Sequence, residues 1–122
     1  DVGMDSLAAY VPSVREGKIK ALAIASSQRW SKLPDVPTVA ETLPGFEASV
    51  WYALLVPAKV PDEIVAKLNA VTNAWLKEPK TQEFLADFGA VTAGGTPAEL
   101  KAFTQAEIQK WGPIIKAANI SF

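Results

Sequence analysis

Few residues in this chain are of a type that could do chemistry, and their spacing points to binding rather than to bond making. Asp5 and Ser6 stand where the end of a short strand at 1–4 meets the start of a helix, and in open α/β sheets ligands sit in the crevice beyond the carboxyl ends of the strands. Backbone N–H groups at such a helix start suit a carboxylate. Capping is the commoner use of Asp and Ser at this place, and a bare Asp5 repels an anion unless it orients donors or meets an ammonium group. Trp51 and Tyr52 alternate on one strand, so one ring faces each side. Either can wall a cleft, with core packing or hinge anchoring as the competing use. Asp35, Glu41 and Glu47 supply carboxylates for an acid and base pair of the glycosidase kind, but nothing in the sequence sets their separation. Gly94-Gly95-Thr96 lacks the ending and the preceding strand of a phosphate loop, and a helix-capping turn explains it.

The chain has no cysteine and no histidine. Disulfides, thiolate chemistry, the usual neutral-pH base and the commonest nitrogen ligand for metals are therefore absent, and neither a catalytic residue nor a metal site is expected. Twelve basic residues against thirteen acidic ones leave a net charge of -1 with no block of like sign, which argues against nucleic acid or a membrane surface as an electrostatic partner. No apolar run approaches the roughly 20 residues of a membrane-spanning helix. At 122 residues and 49% hydrophobic content, folding can bury roughly two-thirds of the surface that the unfolded chain exposes. The opening Asp1-Val2-Gly3, without an initiator methionine, is expected of a mature or excised segment.

These residues need elements to position them. Leu7, Tyr10, Val11 and Val14 recur near helical period up to Gly17, with Pro12 inside the pattern, which predicts a broken helix. Lys18 to Ala25 alternates and then turns apolar, the pattern of a strand that enters from solvent. Pro34 and Pro37 make 33–37 a tethered crossing, Thr38 to Leu43 can form one helical turn, and Phe46 to Val56 reads as a long strand. Pro61-Asp62-Glu63 opens a helix carrying Ile64, Leu68, Val71 and Leu76, and Pro79 opens another that ends at Gly89. Ala90 to Ala93 is a candidate short strand. Thr96-Pro97-Ala98-Glu99 is a capping box for a last helix with Leu100, Phe103, Ile108, Trp111 and Ile115, in which Pro113 marks a kink or break. Trp75 and Trp111 fall on apolar helical faces. Trp30 either stacks on Arg29 or packs over the sheet edge. Three or four strands are too few to hold so many helices, so the pattern fits a small α+β domain or a portion of a larger α/β protein.

The pieces GKIKALAIASSQR, LPDVPTVAE, LPGFEASVWYALLVPAKVPDEIV, KLNAVTNAWLKEPKTQEFLADFGA, GGTPAEL and EIQKWGPIIKAANI, in this order and spacing, resemble the C-terminal part of the tripartite tricarboxylate transporter substrate-binding proteins, the Bug family of extracytoplasmic solute receptors. The resemblance covers essentially the whole chain. One departure is Thr42-Leu43-Pro44-Gly45, where the family usually carries a glycine before Pro-Gly, so a different turn is expected.

The resemblance implies an α/β fold, partial and of the type II periplasmic-binding-protein kind, with few strands and C-terminal helices. Residues 1–47 correspond to the C-terminal portion of the second α/β domain, 48–57 to the crossing hinge strand, and 58–122 to helices that pack on the first domain. The implied function is that of a non-enzymatic, periplasmic solute receptor that holds a small carboxylic acid and meets membrane transporter subunits through the full-length receptor, without a cofactor. Such receptors hold carboxylates with loop amides, hydroxyls and ordered water, a setting into which Asp5, Ser6, Trp51 and Tyr52 fit. The alternative is a structural or assembly unit that self-associates as a homo-oligomer through open sheet edges and uncovered helix faces without binding ligand.

Overall fold

The computed structural model describes residues 2–120. Its helices are α1 (Leu7–Arg15), α2 (Asp62–Leu76), α3 (Pro79–Asp87) and α4 (Pro97–Ala117), with one turn of 3₁₀ helix at Val39–Glu41. The chain divides into two compact units, Asp1–Ala58 with Lys77–Thr92, and Lys59–Leu76 with Ala93–Phe122.

The helix ends follow local chemistry. Pro79 and Pro97 occupy first-turn positions where no backbone donor is needed. At the end of α3 the Gly89 N–H donates to the Ala86 carbonyl and the Ala90 N–H to the Leu85 carbonyl, both at 3.0 Å, the paired closure of a Schellman motif. Gly89 sits at φ 72° and leans on α1, where an added Cβ would lie 2.8 Å from Leu7 Cδ2. Only a residue without a side chain suits both demands.

Pro12 does not break α1, contrary to the sequence expectation. It removes a single hydrogen bond, to the Ala8 carbonyl on an exposed part of the helix, while Val11 beside it is 3% exposed and anchors the turn. Pro113 likewise lies inside a continuous α4.

Among the described residues none of the expected strands, at 1–4, 18–25, 46–56 and 90–93, forms as such. Among the described residues the ladder is reduced to one parallel bridge between Ile24 and Thr38. The Ile24 N–H donates to the Pro37 carbonyl and its carbonyl accepts from Val39, both at 2.9 Å, while the next residue, Ala25, accepts from the Ala48 N–H at 2.9 Å. Successive residues of an extended chain point their backbone groups to opposite sides, so the segment at 24–25 lies between those at 38 and 48. Among the described residues this three-segment nucleus is all the sheet present. Residues 46–56 and 90–93 make no ladder, and neither do 2–4; Asp1 lies outside the described residues. A strand pattern becomes a strand only where a neighbour supplies the other half of each hydrogen bond.

Burial falls short of the two-thirds expected from chain length. The accessible surface is 9903 Å², against about 6,300 Å² for one globule of this mass and roughly 7,600 Å² for two separate globules sharing it in these proportions. Among the described residues the buried hydrophobic side chains are Val11 and Trp30, joined by Thr38 and Thr81. Trp75, placed on a core face by periodicity, is exposed, as are Ile64, Leu68 and Val71 on the same side of α2.

Candidate functional site

The first sequence candidates meet at the start of α1. The Ser6 N–H donates to Asp5 Oδ1 at 2.6 Å, and the Tyr10 hydroxyl, one turn along, donates to Asp5 Oδ2 at 3.5 Å. Ser6 occupies the N-cap position with extended φ and ψ, yet its side chain makes no capping hydrogen bond. In the first helical turn the Ala9 N–H donates to the Ser6 carbonyl at 3.2 Å, which leaves the Leu7 and Ala8 amides as those that a helix start holds without an intrahelical partner. Asp5 is exposed and Ser6 half-buried. The cluster therefore presents two hydroxyls and helix-start amides around a carboxylate already held by one of those amides. Tyr10, read from sequence as part of an apolar stripe, was the residue missed. Its position four after Ser6 was the available signal, because residues four apart share a helix face.

Trp51 and Tyr52 lie beyond Ala48, in the segment that forms no ladder, and are 42% and 91% exposed. Two surface hollows among the described residues involve none of the four. One hollow, of about 530 Å³, is lined by Val14, Lys18, Ile19, Lys20 and Val36 among others. The other, of about 340 Å³, runs along Ile64, Leu68 and Val71 between Glu63 and Lys67.

The strongest electrostatic feature lies on the loop between the nucleus segments. Arg29 grips Glu41 with two hydrogen bonds, Nε to Oε1 at 2.8 Å and Nη2 to Oε2 at 2.5 Å, and Nη1 reaches the Pro34 carbonyl at 2.9 Å. The Thr38 N–H donates to Glu41 Oε1 at 2.9 Å. The guanidinium, then the Thr38 amide, hold the Glu41 carboxyl down to about 2. A carboxylate so stabilised is the reverse of a general acid near neutral pH, and Glu41 serves instead to lock the proline-bearing loop. Arg29 is thereby unavailable for stacking on Trp30. Arg15 takes that place, 5.9 Å from the ring centroid. Trp30 is 6% exposed and its buried indole N–H has no hydrogen-bond partner. Lys32 donates to Asp87, and Arg15 lies 4.0 Å from the same carboxylate. The Lys32 hydrogen bond is the main cause that lowers the Asp87 carboxyl from its ordinary range.

In the second unit, polar side chains position the start of α4. Asn73 accepts from the Gly95 N–H at 2.8 Å and donates to the Gly95 carbonyl at 2.9 Å, and Asn69 donates to the same carbonyl at 2.8 Å. Gly95 stands at φ 122°, a conformation that other residues rarely adopt. The Thr96 N–H donates to Glu99 Oε2 at 2.7 Å and Glu99 returns its own N–H to the Thr96 hydroxyl at 3.2 Å, the reciprocal capping box expected from sequence. Among the described residues no group of three His, Cys, Asp or Glu side chains could hold a metal ion, and no helix is long and apolar enough to cross a membrane.

A family model described as the tripartite tricarboxylate transporter family receptor matches residues 1–120. A UPF0065 protein in the clcB-clcD intergenic region of Pseudomonas knackmussii is 37% identical over 114 residues, 92% of this chain and 68% of that one. The R. palustris protein Rpa4515, solved with adipate, superimposes with a TM-score of 0.85 at 35% identity over 96% of this chain and 40% of that one. The periplasmic binding protein BugD superimposes with a TM-score of 0.80 at 31% identity over 92% of this chain and 38% of that one. The chain thus spans about two-fifths of the solved proteins that it resembles.

Proposed function

Since the chain belongs to the tripartite tricarboxylate transporter receptor family, we propose that it is the C-terminal portion of a periplasmic solute receptor that captures a small carboxylic acid and presents it to membrane transporter subunits. The observation that carries this reading is the likeness over nearly the whole chain to a family-sized protein solved with adipate. Residues 1–47 are the end of the second α/β domain, 48–57 the crossing strand, and 58–122 the helices that pack on the first domain. The apolar stripe Ile64, Leu68, Val71 and Trp75 supports that assignment, because it leaves a helix face exposed that needs a partner surface. Closure of two domains about the crossing would report occupancy to the membrane subunits.

On this reading the start of α1 is one wall of the ligand cleft. The Ser6 hydroxyl and first-turn amides donate to a ligand carboxylate, Asp5 orients the Ser6 amide and Tyr10, and Trp51 and Tyr52 supply apolar wall beside the hinge. A ligand held on one wall stays partly wet and gains little enclosure, so affinity for the chain by itself is weak. Calorimetric titration of the folded chain with adipate, malate, citrate and benzoate tests this. Saturable heat from an aliphatic dicarboxylate, reduced in Ser6→Ala, is expected. A folded chain that gives no heat with any of the four removes the binding role from these residues.

A further inference from the structure

The end of α3 meets α1 at both of its ends. At the far end Asp87 lies 4.0 Å from Arg15. At the near end Gly89 faces Leu7, the first residue of α1. Among the described residues five glycines have positive φ, and they differ in what a side chain would meet. Gly17 and Gly45 face open space, while a Cβ on Gly94 or Gly95 would first meet the polar end of Asn73 or Glu99. A Cβ on Gly89 would lie 2.8 Å from Leu7 Cδ2, 2.9 Å from Cγ and 3.3 Å from Cβ. Here the room that glycine leaves is taken by an apolar side chain of another helix.

We propose that Gly89 is a positioning residue for carboxylate capture. By carrying no side chain it lets Leu7 seat against α3, and so fixes where the Leu7 and Ala8 amides and the Ser6 hydroxyl stand. The proposal rests on the reading of the α1 start as one wall of the ligand cleft, and it adds to that wall a residue that touches no ligand. Neither side of the contact yields freely. Gly89 is held by the two 3.0 Å hydrogen bonds that close α3. Rotation about χ1 of Leu7 moves Cγ and Cδ2 but not Cβ, which is fixed to the α1 backbone. A side chain at 89 therefore displaces the first turn of α1 itself. The Ser6 N–H, bonded to Asp5 Oδ1 at 2.6 Å, is adjacent to Leu7 and reports the same movement. Binding groups need to be held within about 0.5 Å of their place by the residues behind them. Opening the Leu7 Cδ2 contact from 2.8 Å to the 3.4 Å of ordinary contact is a change of that size.

Asparagine accepts positive φ yet carries a Cβ, so Gly89→Asn tests the contact with little backbone strain. Gly17→Asn is the matched control, at φ 70° just past the other end of α1 with nothing within 4 Å. The measurement is the amide NMR spectrum of the folded chain, free and titrated with adipate. Gly89→Asn should move the Ser6, Leu7 and Ala8 resonances of the free chain and weaken adipate about two- to tenfold, the share of one hydrogen bond. Gly17→Asn should do neither. In a Leu7→Ala background, which lacks the two shorter contacts, Gly89→Asn should weaken adipate less than about twofold. Ser6, Leu7 and Ala8 resonances that stay in place in Gly89→Asn overturn the proposal, as does an equal loss of affinity with Leu7 present or replaced. Moved resonances with unchanged adipate affinity overturn the positioning role alone, whereas adipate that moves no α1 amide in the unmodified chain overturns the capture reading on which it rests. If Gly89→Asn unfolds the chain, refolding by Leu7→Ala assigns the fault to the contact. A double variant that stays unfolded places the fault in the α3 cap and overturns the proposal.

Discussion

Replacing Asn73 by alanine isolates what positions α4. The side-chain amide satisfies both backbone groups of Gly95, at 2.8 and 2.9 Å, and also donates to the Asn69 carbonyl at 3.0 Å. Each such bond contributes about 0.5–1.5 kcal/mol net. The two to Gly95 are the ones that tie the turn to α2, and their exposed partners can turn to water after truncation. The expected cost of Asn73→Ala is therefore about 1–2 kcal/mol, the lower part of the range for two bonds. Asn69→Ala loses a single bond to Gly95 and should cost about half as much. Urea unfolding followed by far-UV circular dichroism measures both, read as a midpoint shift at constant slope. A coupling experiment sharpens the test. A Cβ on Gly94 would lie 2.6 Å from Asn73 Oδ1, so Gly94→Ala should cost less in the Asn73→Ala background than alone. The φ of 76° leaves a strain that the second substitution does not relieve. An unchanged midpoint for Asn73→Ala, or strict additivity with Gly94→Ala, would refute the clamp.

Two further outcomes are expected. The Glu41 carboxyl is held down to about 2, against an ordinary value of 4.5, by Arg29 and then by Thr38. A depressed folded value means that the contribution is complete above about pH 4.5 and is lost as the pH falls towards 2. Glu41→Gln should therefore flatten the acid unfolding curve in that window, followed by tryptophan fluorescence, and an unaltered acid limb would count against the lock. Trp30 is buried with an unpartnered indole N–H. Trp30→Ala should cost about 3–5 kcal/mol in denaturant unfolding, and Trp30→Phe distinctly less because it also removes the unsatisfied donor. Equal costs for the two would show that the donor finds a partner after all.

The parts of the fold that follow from neighbours in sequence were legible. Pro79 and Pro97 at helix starts, the Thr96 and Glu99 capping box, the turn at Val39–Glu41 and the stop at Gly89 all appear where expected. Each depends on groups a few residues apart, within reach whatever the rest of the chain does. The family was legible too, because the order and spacing of the pieces survive without any contact being known. Of the candidate site, Asp5 and Ser6 do meet at a helix start, but the Tyr10 hydroxyl that joins them was hidden by its apolar ring.

The tertiary structure decided what depends on partners distant in sequence. Strand patterns at 18–25 and 46–56 specify which residues can enter a sheet and not whether a neighbour is there to accept their hydrogen bonds. Here the ladder stops at Ile24 and Thr38, with one further bond from Ala48. Pro12 broke no helix because Val11 is buried beside it. Arg15 rather than Arg29 lies over Trp30 because Glu41 had already claimed Arg29. The sequence by itself determined the helices, their caps and the family, since these rest on short-range bonds and on order along the chain. Burial, strand pairing and the choice of ionic partners are competitions among groups brought together from far apart, and only the folded chain shows which of them wins.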